Sequence, residues 1–573
     1  MRVLCHGLPF FRDYAVLDAY TGPHEIRTVS ANADTRYRYE PMTESWPELV
    51  ARVSREWPPD LALFWTPEND PPPPDVELSP IPTVALAGDW NLFYGAQQYN
   101  LGRYDVVLCD KPGVAILSND MVRPRFLFPL YAHDPLLNYD RRLERDIDVL
   151  YLGNMNLAHY RRRGPLLERL ARLADRYRVV LACGVFGDAY GQLLSRAKIV
   201  FNHSVRGELN LRVFESVAAG ALAFIETDNA EVRHFFSPDE EVVLYTAENL
   251  EARIGECLEH WDQWRHVARR AQERSKDFSC EQRLDQLLDW VVARLPGERK
   301  FTGLPESERL LQSYLMYAVS QRAEYGPIEQ TLAARLVNTL PDDPHAWTAV
   351  GRSFYAPKQP TDERARGKRC IAALARAAAL QPDAAPFAMN AAEACRLWGL
   401  KELEEKYLDA CIAATSLDGA EWLLGDYQSV FWTRWLRALA ENRSSLAMLH
   451  AEAHARRARL LAERERLEEA MKALEQAEHA DPESTSGTIL KAELLLKQQQ
   501  KEAATEYLWQ YRNRFFFDFD YRDALVALLL EIGRVEDAEM LRREGAVMQK
   551  AYYPEGYGAY QPIPPGIAAT ARD

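Results

Sequence analysis

From Arg2 to Lys276 short apolar runs alternate with longer amphipathic segments, and after about residue 300 the apolar runs stop. That alternation constrains the fold more than any other feature. Runs at Arg2–Cys5, Glu25–Val29, Leu61–Trp65, Thr83–Ala87, Val106–Cys109 and Phe126–Phe128 form a first series. A second comprises Val149–Leu152, Val179–Ala182, Ile199–Asn202, Leu222–Ile225 and Val242–Tyr245. Most are four or five residues long and bounded by Gly, Pro or Asp, as expected of strands buried on both faces. Helical periodicity separates them at Trp46–Glu56, Tyr160–Arg176, Tyr190–Arg196, Leu209–Ala219 and Ala247–Lys276. The pattern predicts two parallel, doubly wound α/β sheets. The polar stretch LYAHDPLLNYDRRLERDID at 130–148 marks the join between them.

Beyond residue 300, Ala, Leu, Glu, Arg and Gln dominate. Turn-like marks recur: PDDP (341–344), QPDA (381–384), SLDG (416–419), ADPE (480–483) and DFDY (518–521). Their spacing resembles that of tetratricopeptide helix pairs, which repeat at about 34 residues; an irregular helical bundle is the simpler alternative. Arg443–Arg466 reads as a solvated helix. The expected organisation is a Rossmann-like acceptor domain (1–135), a Rossmann-like donor domain (146–295), TPR-like helices (300–555) and a Pro/Gly-rich tail (556–573).

The net charge of −15 argues against a general nucleic-acid binder. The eight cysteines form no CxxC pair and read as buried thiols. Neither a signal peptide nor an apolar stretch of membrane-spanning length is visible, so a cytoplasmic protein is expected. No HExxH, Cys/His cluster or strand-end Asp-x-Asp suggests a metal.

The stretch KIVFNHSVRGELNLRVFESVAAG (198–220) holds the densest candidate chemistry: a strand, a glycine-containing loop, then a helix. Such a turn aims amides at a phosphate before the helix N-terminus. Glu208, Arg212 and Glu215 sit at i, i+4 and i+7 and so share one helical stripe, either as a surface salt-bridge ladder or as a site. In the second reading Glu215 holds ribose hydroxyls, Arg212 neutralises a diphosphate and Glu208 faces the sugar.

NLRVFESVAAGALAFIETDN resembles the core signature of retaining GT-B glycosyltransferases, and more closely the CgeB-like, spore-maturation-type branch. DVLYLGN (148–154), LSRAKIVFNHS, EEVVLYTAENLEARI (240–254) and LFPLYAHDP (127–135) resemble its other segments in order. The resemblance implies a GT-B fold and a nucleoside-diphosphate-sugar donor, with UDP- or GDP-sugars expected; the missing metal motifs lead to the expectation that no metal takes part. Gly153, Asn154, Arg161, Gly184, Asn202, Ser204, Gly207, Asn210, Arg212 and Glu215 are its donor-binding candidates. Six residues separate Glu208 from Glu215, where the wider family has seven, and Gly207 takes the first glutamate's place.

On the acceptor side His6 and Asp89 follow buried strands and are the catalytic candidates, His6 to assist and Asp89 to orient or deprotonate the acceptor hydroxyl. Each has a plain alternative, a packed histidine and a loop-capping aspartate. A protein acceptor docked by the helical repeats is expected, for example a bacterial surface or flagellar protein. The competing reading is a catalytically inactive glycosyltransferase-like scaffold whose repeats bind a partner. A nucleotide-sugar epimerase or dehydrogenase is disfavoured because no GxGxxG follows the first strand.

Overall fold

The computed structural model describes residues 1–8, 13–31, 34–40, 43–65, 71–92, 94–118, 124–126, 131–153, 162–294, 305–319, 326–355, 363–425, 427–516 and 518–552. Twelve strands run in chain order: β1 Arg2–His6, β2 Glu25–Ser30, β3 Tyr37–Arg38, β4 Leu61–Trp65, β5 Thr83–Ala87, β6 Val106–Cys109, β7 Pro124–Phe126, β8 Ile147–Leu152, β9 Val179–Ala182, β10 Ala197–Phe201, β11 Leu222–Glu226 and β12 Val243–Tyr245. They form two sheets, ordered β3-β2-β1-β4-β5-β6-β7 and β12-β11-β10-β8-β9, with every pairing parallel. Helices connect the strands, and from Glu306 onward the described elements are all helical.

The chain divides into two compact units, each made of two stretches: Met1–Leu130 with Leu284–Gln500, and Tyr131–Arg283 with Lys501–Asp573. In the first, the sheet and the helical region share one core. Trp46, Phe64 and Trp90 belong to the same buried cluster as Ala388, Phe431 and Trp432, and Tyr94 stacks on Trp435 at 4.3 Å.

The helix Ser445–Glu463 corrects the expectation of a solvated segment: Met448, Leu449, Ala453, Ala458 and Leu461 are buried. Its charges turn inward in pairs, Arg456 donating to Glu452 at 2.8 Å and to Glu393 at 2.5 Å.

In the second unit the last helices return to the sheet. Val535–Tyr552 lies against β9, the edge strand. Phe516 joins the buried core of this sheet. Glu544 accepts from Arg172 at 2.8 Å and from Arg522 at 3.0 Å.

Among the described residues no helix is long and apolar enough to cross a membrane. All eight cysteines are free, and all but the half-buried Cys183 are buried.

Candidate donor site

In the second sheet the connection β8–β9 leads to one side and the connection β10–β11 to the other, so the order reverses between β8 and β10. Ligands of open α/β sheets bind in the crevice outside the carboxyl ends of the strands at such a point. Gly153 follows β8 and Asn202 follows β10. The helix Leu211–Ala218 starts beside them, with Asn210 in extended geometry as its N-cap. The amides of Leu211 and Arg212 begin the helix and so have no intrahelical acceptor.

Arg212 points into this crevice. Its Nη1 donates to Asn202 Oδ1 at 2.9 Å, and its guanidinium lies 4.9 Å from the centroid of the Tyr151 ring. Gly153 leaves room for it: a Cβ there would stand 2.1 Å from Arg212 Nη2. Arg212 Nε, Asn202 Nδ2 and Asn210 Oδ1 are buried and have no partner among the described residues. A buried polar atom left unpaired costs about 1–3 kcal/mol, so three on these neighbouring residues describe a place that a polar ligand would complete. Of the arginines at 161–163, Arg163 is buried and donates from Nε to His203 O at 2.9 Å and from Nη1 to the Tyr151 hydroxyl at 3.3 Å; Arg162 is exposed. Asn154 and Arg161 lie outside the described residues.

Glu215 sits one turn along the helix. The Tyr190 hydroxyl donates to its Oε2 at 2.6 Å. Burial pushes the Glu215 carboxyl above the ordinary carboxylate range, against the opposing pull of Tyr190 and Arg212. Tyr190 comes from the helix Gly187–Arg196. Gly184, before that helix, has φ +68°, and a Cβ there would meet nothing within 4 Å. The backbone conformation, not crowding, therefore favours glycine at this position.

The loop before the helix departs from the expected stripe. The helix starts at Leu211 rather than Leu209, which leaves Glu208 in the loop and off the Arg212–Glu215 face. Glu208 Oε2 accepts the Arg206 amide at 2.8 Å, and the side chain is buried. Two amides expected to face an anion are already engaged: Gly207 N donates to Ser204 Oγ at 3.0 Å, and Leu209 N to Glu231 Oε2 at 2.8 Å. Gly207 itself has φ +84°, a turn other residues rarely adopt.

Ser204 therefore braces the loop. Its amide and hydroxyl both donate to Glu226 Oε1, the amide at 3.0 Å. Asn229 Nδ2 donates to Glu208 O at 2.8 Å and to Glu226 Oε1 at 3.1 Å. Glu226, at the end of β11, has its carboxyl raised by burial. Beside this network His203 is driven to about 4 by burial, reinforced by the positive Arg163.

Tyr151, Tyr190, Glu226 and Asn229 carry no role in the sequence reading. Glu226 and Asn229 stand at the end of a strand-like run, a position that can flag them. The contact of Tyr190 with Glu215 spans 25 positions and has no local mark.

In the first unit, His6 is fully buried. Its Nε2 lies 2.9 Å from the Tyr39 hydroxyl, and its ring packs against Tyr39 and Phe64. The expectation of an assisting histidine is corrected: the side chain faces core. Asp89 is exposed just beyond β5. Among the described residues no group of three or more His, Cys, Asp or Glu side chains is placed to hold a metal ion.

Residues 161–289 match the family model described as glycosyl transferase-like. No curated protein sequence matches the chain significantly. Among solved structures the chain is similar to a glycosyltransferase from Rickettsia africae (10% identity, TM-score 0.35, covering 52% of this chain and 99% of that one). It is also similar to sucrose-phosphate synthase from Thermosynechococcus elongatus (11%, 0.34, 51% and 99%). A third likeness is to Anabaena HepE in complex with UDP and glucose (13%, 0.33, 51% and 100%). These are likenesses of fold over about half of this chain and carry no functional inference.

Proposed function

We propose that this chain is a glycosyltransferase that binds a nucleoside-diphosphate sugar at the carboxyl edge of the second sheet and transfers the glycosyl group to an acceptor hydroxyl. The observation that carries the reading is Arg212, half-buried over Tyr151 and beside Gly153, whose buried Nε is unpartnered among the described residues. It stands at the strand-order reversal of a segment that matches a glycosyl transferase-like family.

In this reading Arg212 and the first amides of the helix Leu211–Ala218 meet the diphosphate, where the helix dipole adds positive potential. Glu215, oriented by Tyr190, meets the ribose hydroxyls. Gly184 lets backbone approach the nucleotide, and Gly153 leaves room for Arg212. The sugar C1–oxygen bond to the diphosphate breaks and a C1–oxygen bond to the acceptor forms. Arg212 stabilises the charge on the leaving diphosphate, and the acceptor proton passes to a base or to the leaving group. Retention of anomeric configuration, independence of metal, a UDP- or GDP-linked donor, a protein acceptor and TPR-like helices complete the proposal, the first from the resemblance to retaining GT-B glycosyltransferases. Asp89 is the residue of the first sheet whose substitution tests acceptor activation.

A thermal-shift screen of UDP-, GDP-, ADP- and dTDP-sugars tests the reading, because a ligand of the folded chain alone raises Tm. At least one should do so, and Arg212→Ala should weaken it about ten- to a hundredfold, the value of a charge-assisted contact. Tm unmoved by every donor would favour a binding scaffold instead.

A further inference from the structure

Helices Pro344–Tyr355 and Glu363–Leu380 cross closely: a Cβ on Gly351 would stand 2.5 Å from Leu374 Cδ2. Along this pair runs a groove of about 560 Å³, lined by Trp347, Val350, Phe354, Ala372, Ala373 and two arginines, Arg369 and Arg376. Trp347, Val350 and Phe354 are at i, i+3 and i+7, a single apolar stripe on one helix. Arg369, Ala372, Ala373 and Arg376 repeat that spacing on the other. One wall is therefore aromatic, the floor is small and the opposite rim is cationic, in a chain whose net charge is −15.

The two arginines are exposed. Arg369 lies 5.8 Å from the centroid of the Phe354 ring. Arg376 pairs at 3.2 Å with Asp342, whose side chain is 84% exposed. Surface pairs of that kind contribute little and exchange easily.

Seven residues of helix separate the arginines by about 10.5 Å along the axis. An extended polyproline-type peptide rises about 9.3 Å over three residues and brings every third side chain to the same side. Acidic residues at n and n+3 of such a peptide would meet both arginines, while its apolar residues would face Trp347 and Phe354. Grooves lined by aromatic rings take this kind of ligand because the extended chain loses little entropy on docking.

We infer that this groove is a docking site for an extended acidic segment of a partner protein, with carboxylates three residues apart and apolar residues between them. The groove lies within the first compact unit, and the inference stands whether or not the second unit binds a sugar nucleotide.

The test uses the full chain and two fluorescein-labelled twelve-residue probes, one repeating Glu-Pro-Leu and the other Lys-Pro-Leu, followed by fluorescence polarisation. The acidic probe should bind and the basic one should not. Arg369→Glu combined with Arg376→Glu should weaken the acidic probe at least tenfold and make the basic probe the better ligand. Trp347→Ala should weaken the acidic probe without reversing the preference. Equal binding of both probes, absence of acidic-probe binding, or an affinity unmoved by the double charge reversal would overturn the inference.

Discussion

Gly153→Ala is a small change with a specific consequence. The backbone at Gly153 is not in the left-handed region, so alanine brings no backbone strain. What the new methyl meets is Arg212: Nη2 at 2.1 Å and Cζ at 3.1 Å, with the Tyr151 hydroxyl at 2.9 Å. The nearest atom is the far end of a long flexible side chain, so the guanidinium moves and the fold survives. Its departure forfeits the contact with Tyr151, worth about 0.5–1 kcal/mol, and the bond to Asn202, about 1 kcal/mol. Stability should fall by about 1–2 kcal/mol in urea unfolding.

Donor affinity should fall further, by about ten- to a hundredfold, because the charge-assisted contact to the diphosphate is worth about 1.5–3 kcal/mol. The cycle of Gly153→Ala, Arg212→Ala and both together isolates the route, read by titration calorimetry with the donor that raises Tm. If alanine at 153 acts through Arg212, the double variant binds no worse than Arg212→Ala alone. Losses that simply add would show that Gly153 serves the donor independently of Arg212. Unchanged affinity in Gly153→Ala would show that the position of Arg212 is irrelevant to binding.

Glu215→Gln should abolish most donor binding while leaving Tm at pH 8 unchanged or higher. Burial raises the folded-state pKa of this carboxyl, so its favourable contribution is complete below the ordinary 4.5 and is lost as pH rises through the folded value; melts at pH 5 and pH 8 check the sign. His203 works in the opposite sense. Its fall from an ordinary 6.5 to about 4 is worth about 3 kcal/mol of stability, present above pH 6.5 and lost as pH drops toward 4. His203→Asn should flatten that part of the pH–stability curve. Glu544→Ala should cost about 3–5 kcal/mol in urea unfolding, because it strands the buried Arg522 without its counter-charge. Asp89→Asn should reduce glycosyl transfer and leave donor affinity intact, measured by turnover beside calorimetry.

Much of the fold is readable from local pattern. β4, β5, β6 and β9 lie where their apolar runs predict, because strands covered on both faces are written as continuous hydrophobic runs. β3, only two residues long, has no such run. Phe126–Phe128 slides to Pro124–Phe126, and residues 127 and 128 lie outside the described residues. The single helix expected at Ala247–Lys276 is two, Leu250–Glu259 and Trp261–Arg274, meeting at His260; the amphipathic period continues across the break and hides it.

At the site, Arg212 and Glu215 are legible because both sit on one short helix, where spacing maps directly onto geometry. Glu208 is not, since its place depends on Glu231, more than twenty residues away, taking the Leu209 amide. The burial of Ser445–Glu463 is hidden for a different reason: its inward face mixes alanines with larger apolar residues and a charge, and buried Glu393 on another helix pairs with its Arg456. The return of Val535–Tyr552 to β9 has no local signature either.

The central claim is that a sugar nucleotide lodges where the connections leaving β8 and β10 part. A crystal structure of the chain with UDP or GDP tests it most directly. The account predicts diphosphate oxygens about 3 Å from the Arg212 guanidinium, with the ribose on Glu215. A nucleotide bound elsewhere, with Arg212 still resting on Asn202 and Tyr151 and untouched by ligand, would contradict it.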